Sequence, residues 1–379
     1  MKKIKNLKYI NFAYKGFYDE DFAEMCKIKL QAQILNFDYN KISDLSNLKP
    51  ENFKFLNQLL LNHNKIKDIS PLKNIKFENL KILSLSHNQI QDIKDLENNR
   101  LIKNLEILNL NGNNISDISI FETLEFDNLL KLDLSQNNIT ELSPLENSNL
   151  NKLKELNLVS NNINDFSSFE NINLNSLEKL YLYQNKIEKI EIKKKISFKK
   201  LKIINISNNT IKEIDIKGRL QLFKLRKIYL SFNLIEKINI KNLQKLNKLS
   251  ELNLSNNKII DISFLENLEI KNLRKLILSN NKIENIDLLG ELNMKLISLI
   301  DLSENEISDI TVLKKMTLEN LTDLYLTENK IKNIRALENL HIPKINFLKL
   351  EGNLINYYLR NITDIISNLV NKYPQIKLY

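Results

Sequence analysis

Any covalent or metal chemistry in this chain would rest on very few residues. Histidine occurs three times, as His63, His87 and His341, and cysteine once, as Cys26. No two histidines stand four residues apart, which excludes the paired-ligand helix of a zinc protease. One cysteine can form neither a zinc finger nor an intrachain disulfide. The five glycines, Gly16, Gly112, Gly218, Gly290 and Gly352, are too far apart to build a phosphate-binding loop. His63 and His87 could share a metal, but only Tyr39 falls in register as a third ligand, so they read as surface histidines. A serine or cysteine nucleophile would find no base beyond this pair. The chain is therefore expected to be no enzyme and to carry no metal and no cofactor.

Charge is the next resource. Lys and Arg number 56 against 46 Asp and Glu, a net charge of +10. Residues 189–200 hold Lys189, Lys193, Lys194, Lys195, Lys199 and Lys200. Such a cluster is either a solvated face or a seat for an anionic partner, such as nucleic acid or membrane headgroups. A hydrophobic content of 42 % marks a globular chain. No apolar run is long enough to span a membrane. The basic start, Met1 to Asn6, is followed by no apolar segment, so no secretory signal is read. Missing disulfides fit a reducing compartment, and a cytoplasmic or nuclear location is the expectation.

What must carry these residues is a periodic chain. Asparagine stands at positions 40, 64, 88, 113, 137, 161, 185, 209, 233, 257, 281, 305, 329 and 353, always 24 apart except once, where the interval is 25. Leu56, Leu59 and Leu61 precede Asn64, and Ile66 follows it; the same set recurs as Leu80, Leu83, Leu85, Asn88, Ile90 and as Leu105, Leu108, Leu110, Asn113, Ile115. Leu7, Ile10 and Phe12 form a degenerate further copy, with Lys15 in the asparagine position. Each unit has one short strand with a single buried face. Alone it is unstable, but stacked at about 4.8 Å it gives a continuous parallel sheet. The asparagines, among them Asn64, Asn88, Asn113, Asn137, Asn161 and Asn185, are read as structural. They supply two donors and an acceptor where the chain turns inward. Acids four residues later (Asp44, Asp68, Asp92, Asp117, Asp165, Asp261, Asp309) should line the start of an outer turn. In Ser70-Pro71 and Ser143-Pro144, serine reads as the cap of that turn.

The pattern resembles the leucine-rich repeat family, LxxLxLxxNxI, over residues 30–355. That resemblance implies an α/β solenoid, a horseshoe of about 14–15 repeats, each about 24 residues long. A parallel sheet would line its concave face, and short helical or irregular turns its convex face. The organisation expected is a degenerate repeat and cap in 1–29, the array in 30–355 and a helical cap in 356–379. Phe22 and Cys26 would pack inward from a helix within 19–29. Ile362, Ile365, Ile366, Leu369, Val370 and Tyr373 would form the stripe of a second helix, ended by Pro374. The segment from Gly352 to Leu378 is similar to the cap of one branch of the family. That branch contains the regulatory subunit of protein phosphatase 1 and the spliceosomal A-prime protein. Leu354 replaces the usual proline, Tyr379 replaces the closing acid, and the repeats are longer than is usual in that branch. The NxIxDIxxL spacing is also similar to internalin-type adhesins, which require export.

Family geometry sends the positions six, four and two before each asparagine to the concave face. Most are small and polar. Tyr181, Tyr183, Tyr229 and Phe232 depart from this, flanked by Lys179, Lys227, Arg226 and Lys275. Asp301, Glu304, Asp323, Glu328 and Glu351, beside Tyr325, form an acidic stretch. Aromatics on such a face are interface anchors. The function expected is a non-enzymatic scaffold binding a protein on its concave face. The resemblance suggests a phosphatase catalytic subunit as that protein. The alternative is nucleic-acid or ribonucleoprotein association through a basic convex patch of Lys193, Lys194, Lys195, Lys199 and Lys200. In this patch Lys193, Lys217 and Lys241 replace the apolar residue eight past the asparagine, and Ile192, Ile216 and Ile240 sit one position earlier.

Overall fold

The structure is a computed structural model that describes residues 5–73, 75, 77–96, 103–240, 243 and 246–379. The chain forms two compact units, Met1–Lys186 and Ile187–Tyr379.

In the first unit the described residues form a parallel sheet of eight three-residue strands: Tyr9–Asn11, Ile34–Asn36, Gln58–Leu60, Ile82–Ser84, Ile107–Asn109, Lys131–Asp133, Glu155–Asn157 and Lys179–Tyr181. Each pairs with the next in unbroken register, so Ile10, Leu35, Leu59, Leu83, Leu108, Leu132, Leu156 and Leu180 form one buried column. Three-residue strands suffice because every strand leans on two neighbours, and only the middle side chain need enter the core. The degenerate first copy is thus a true strand. The helix Asp19–Cys26 covers it, with Phe22 and Cys26 buried and Phe22 edge-on to Phe37 at 5.0 Å. Burial pushes the Cys26 thiol up to about 12, which leaves it an inert core residue.

Asparagine seals each turn. Asn137 Nδ2 donates to the carbonyls of Leu110 (3.0 Å), Leu134 (3.1 Å) and Ser135 (3.1 Å), and its Oδ1 accepts from the Ile115 amide at 3.0 Å. Asn64, Asn88, Asn113, Asn161 and Asn185 repeat this pattern. A second asparagine column lies nine residues earlier: Asn79, Asn104 and Asn128 donate to the carbonyls of Lys54, Glu78 and Lys103. The expected serine cap is corrected: Ser70 is the first residue of its 3-10 turn, and Asp68 caps it from two residues before. Asp68 accepts from both the amide (2.8 Å) and hydroxyl (2.9 Å) of Ser70. Asp117 and Asp165 hold Ser119 and Ser167 in the same way.

The second unit carries the sheet Ile203–Asn205, Lys227–Tyr229, Glu251–Asn253, Lys275–Ile277, Leu299–Asp301, Asp323–Tyr325, Phe347–Lys349 and Lys377–Leu378. The helix Arg360–Lys372 covers its end with Ile362, Ile365 and Leu369. Tyr373 locks the helix in place, its hydroxyl donating to the Leu340 carbonyl (2.7 Å) and accepting from the Ile342 amide (3.1 Å). The later repeats keep the expected short turns, at Ser263–Leu268, Asp287–Gly290, Thr311–Lys315 and Arg335–Leu337, but three earlier return paths depart from expectation. In place of helical turns, Lys189–Ile192, Glu213–Ile216 and Lys237–Asn239 form a three-stranded parallel outer sheet. The cause is local: alternation in Lys189-Ile190-Glu191-Ile192 has period 2, and Ile190, Ile192, Ile214 and Ile216 all point into the core. Lys241 lies outside the described residues.

Candidate functional site

The aromatic residues expected to form one patch divide between the units. In the first, Lys179 lies 3.1 Å from Glu155, which also binds Lys131 at 2.8 Å. Burial opposes the charged form of Glu155, but hydrogen bonds from the two lysines outweigh it and hold the carboxyl below its usual range. The same pairing raises Lys179. Tyr181 is half-buried in register with Asn157, and Tyr183 is exposed.

In the second unit Lys227 lies 3.1 Å from Glu251 and is raised by hydrogen bonds to Glu251 and Tyr229. Burial raises the Tyr229 phenol. Register places Tyr229, Asn253, Ile277, Asp301, Tyr325 and Lys349 in one row across the sheet. Tyr325 donates to Asp323 at 3.1 Å, and its phenol is raised by burial and then by Asp323 and Asp301. The acidic stretch is not purely acidic: the Lys349 ammonium sits 5.2 Å from the Tyr325 ring and 5.5 Å from the Tyr379 ring.

Phe232 stands apart. It occupies the residue before the asparagine, where the backbone is left-handed: φ is 54° at Phe232, 55° at Asn256 and 53° at Glu304. Asparagine tolerates this conformation; a bulky ring does so at a cost of roughly 1–2 kcal/mol. Phe232 is 58 % exposed, and no ring stacks on it among the described residues.

The same rim position in the first unit holds a stack of which sequence reasoning showed three members in register, Tyr39, His63 and His87, and missed the fourth, Tyr14. Tyr14, Tyr39, His63 and His87 stack face to face, with ring centroids 4.3, 4.1 and 4.2 Å apart and planes within 14°. His87 lies over Gly112, where a Cβ would come within 2.5 Å of its ring. The available signal was Tyr14, one residue before Lys15 just as Tyr39 precedes Asn40. Imidazole lone pairs lie in the ring planes, so parallel stacked rings cannot aim both at one ion. Among the described residues no group of three or more His, Cys, Asp or Glu could hold a metal. Burial, then repulsion from His87, depresses His63 below the usual 6.5, against the attraction of Asp38. The unfolded chain therefore takes up this proton first as pH falls below about 6.5, and stability drops. We expect the urea midpoint to fall between pH 7 and 5.5, and the fall to shrink in His63→Phe; an equal pH response in both proteins would contradict this.

On the outer sheet, acids interleave with the lysines. Glu191 lies 3.6 Å from Lys189, 3.3 Å from Lys193 and 3.8 Å from Lys217, and Asp215 lies 3.0 Å from Lys217. Lys194, Lys195, Lys199 and Lys200 are exposed on the turns beyond. Among the described residues no helix is long and apolar enough to cross a membrane.

Family models of leucine-rich repeats match residues 78–124 and 103–163. No curated protein matches the chain. Among solved structures, a leucine-rich repeat protein of Leptospira interrogans is similar at 20 % identity, covering 100 % of this chain and 97 % of that one, with a TM-score of 0.73. The internalin InlF of Listeria monocytogenes is 25 % identical over 91 % of this chain and 86 % of its own, with a TM-score of 0.58. The functional domain of InlJ from Listeria monocytogenes, which includes a cysteine ladder, is 20 % identical over 97 % and 71 %, with a TM-score of 0.66.

Proposed function

We propose that this leucine-rich repeat protein is a non-enzymatic interaction scaffold whose second unit grips a protein partner on the face of its sheet. The observation that carries this is Phe232. A large ring held in a left-handed backbone, 58 % exposed and stacked on no other ring among the described residues, gains little inside the molecule to offset its strain, which points to a gain outside it. Tyr229 and Lys227, three and five residues before it, supply a phenol and a cation on the adjoining strand. Further along the sheet, Asp301 in the row of Tyr229 and Asp323 in the row of Lys227 offer carboxylates to a basic surface. Aromatic anchors with flanking charge are the usual energetic centre of an interface. The resemblance of the C-terminal cap makes a phosphatase catalytic subunit the partner to test first.

The experiment is capture from cell lysate by the wild-type chain and by a Tyr229→Ala/Phe232→Asn variant, followed by titration of the captured protein. The variant should bind at least 10-fold more weakly, at about 1.4 kcal/mol per factor of ten. Phe232→Asn alone should unfold at a higher urea concentration than wild type, because asparagine relieves the backbone strain. Unchanged affinity in the double variant would remove this face from the function. Capture of a phosphatase catalytic subunit would support the finer reading, and its failure to bind would leave only the scaffold.

A further inference from the structure

The two-residue turn that feeds each of the first five strands of the second unit's main sheet falls at 199–200, 223–224, 247–248, 271–272 and 295–296. These turns carry Lys199-Lys200, Phe223-Lys224, Asn247-Lys248, Lys271-Asn272 and Lys295-Leu296. Two residues after each turn stand Lys202, Arg226, Ser250, Arg274 and Ser298. Their backbones are linked in series: Arg226 donates to the Lys202 carbonyl at 2.8 Å, Ser250 to Arg226 at 2.8 Å, Arg274 to Ser250 at 2.9 Å and Ser298 to Arg274 at 2.8 Å. The residues therefore stand in register along one edge of one sheet. The five segments 199–202, 223–226, 247–250, 271–274 and 295–298 contain nine cations and no carboxylate. The same segments in other repeats carry Glu78, Glu106, Asp127, Glu178 and Glu319. Only Glu251, engaged by Lys227, and Glu269, two residues before Lys271, border the strip in sequence. On the second of the five turns Phe223 is 49 % exposed.

We propose that this strand-entry edge of the second unit binds single-stranded nucleic acid. Cations repeating at about 4.8 Å over five strands make a basic track of roughly 19 Å, the length of a few nucleotides. An aromatic face set within such a track gives a base somewhere to stack, the combination single-strand binders use. The outer sheet is the poorer candidate, because Glu191, Glu213 and Asp215 stand among its lysines. The site is separate from the protein-binding face, so either can fail alone.

The test is fluorescence anisotropy of the full chain with a labelled 12-nucleotide uridine oligomer, with inorganic polyphosphate as competitor. Lys200→Ala/Lys224→Ala/Lys248→Ala should weaken binding at least 10-fold at 50 mM salt and lower the log–log salt slope by about 2, at roughly 0.7 per lost phosphate contact. Phe223→Ala should weaken oligomer binding about fivefold and leave polyphosphate binding unchanged. Lys193→Ala/Lys194→Ala/Lys195→Ala, on the outer turn, should bind as wild type, and thermal melts of all three variants should match it. Absence of low-salt binding, an equal loss in the outer-turn variant, or indifference to Phe223 would each overturn the proposal.

Discussion

Asn137→Ala should cost about 2 kcal/mol, and the nearly isosteric Asn137→Asp about 4 kcal/mol at pH 7, by urea denaturation. The carbonyls that Asn137 serves are shared. Leu110 also accepts from Asn113, and Leu134 also accepts from Asn161. Alanine therefore leaves those carbonyls one donor each and orphans a single group, the buried Ile115 amide. Aspartate keeps that bond through Oδ1 but turns a lone pair and a charge toward the Leu110, Leu134 and Ser135 carbonyls in place of the amide donor. Such a carboxyl is held above its unfolded value. Its penalty is complete above the folded pKa and is relieved as pH falls below it, when a proton restores one donor. The gap between the two variants should narrow by pH 4. An Asp variant no worse than Ala at pH 7 would show that the column is wetter than its geometry implies.

The same column explains what could be read without coordinates. A side chain required once in every repeat to satisfy fixed backbone groups leaves a periodic mark in the sequence. Leu59 and Leu61, entering the core beside it, leave another. The outer returns leave weaker marks because several local conformations span the same distance. Glu213-Ile214-Asp215-Ile216 alternates over only four residues, too short to separate a strand from an extended turn until Ile190 and Ile214 are seen paired. Asn79, Asn104 and Asn128 leave almost no mark, because lysine or serine replaces asparagine in many repeats. The ring stack is legible only in part, through the shared register of Tyr39, His63 and His87, because its members are not one residue type. Tyr14, Tyr39, His63 and His87 share only a position and a flat side chain. Surface residues can be named singly in a sequence, while the row from Tyr229 to Lys349 and the cation track beside Phe223 emerge from register.

Gly218→Ala should destabilise the second unit by about 3 kcal/mol, near the upper end of overpacking costs. Its backbone is not left-handed; the constraint is contact. A Cβ there would lie 1.9 Å from the Lys194 carbonyl oxygen and 2.8 Å from the carbonyl carbons of Lys193 and Lys194. None of these is a side-chain end that can swing away. The turn is pinned from below as well, because the amides of Lys217 and Gly218 both donate to the Ile192 carbonyl, at 2.9 and 2.8 Å. Moving Lys194 outward would pull on the pairing of Lys189–Ile192 with Glu213–Ile216. Neighbour-to-neighbour packing in a solenoid should confine the damage to adjoining repeats. Amide exchange should therefore accelerate at Ile190 and Ile214 while Leu59 and Leu83 keep their protection. Gly16→Ala is the contrasting case: nothing lies within 4 Å of its Cβ, and only its φ of +70° is at stake, for about 1 kcal/mol. If the two substitutions proved equally mild, the outer sheet would have to yield at the Lys193–Lys195 turn more easily than its bonding to Ile192 allows.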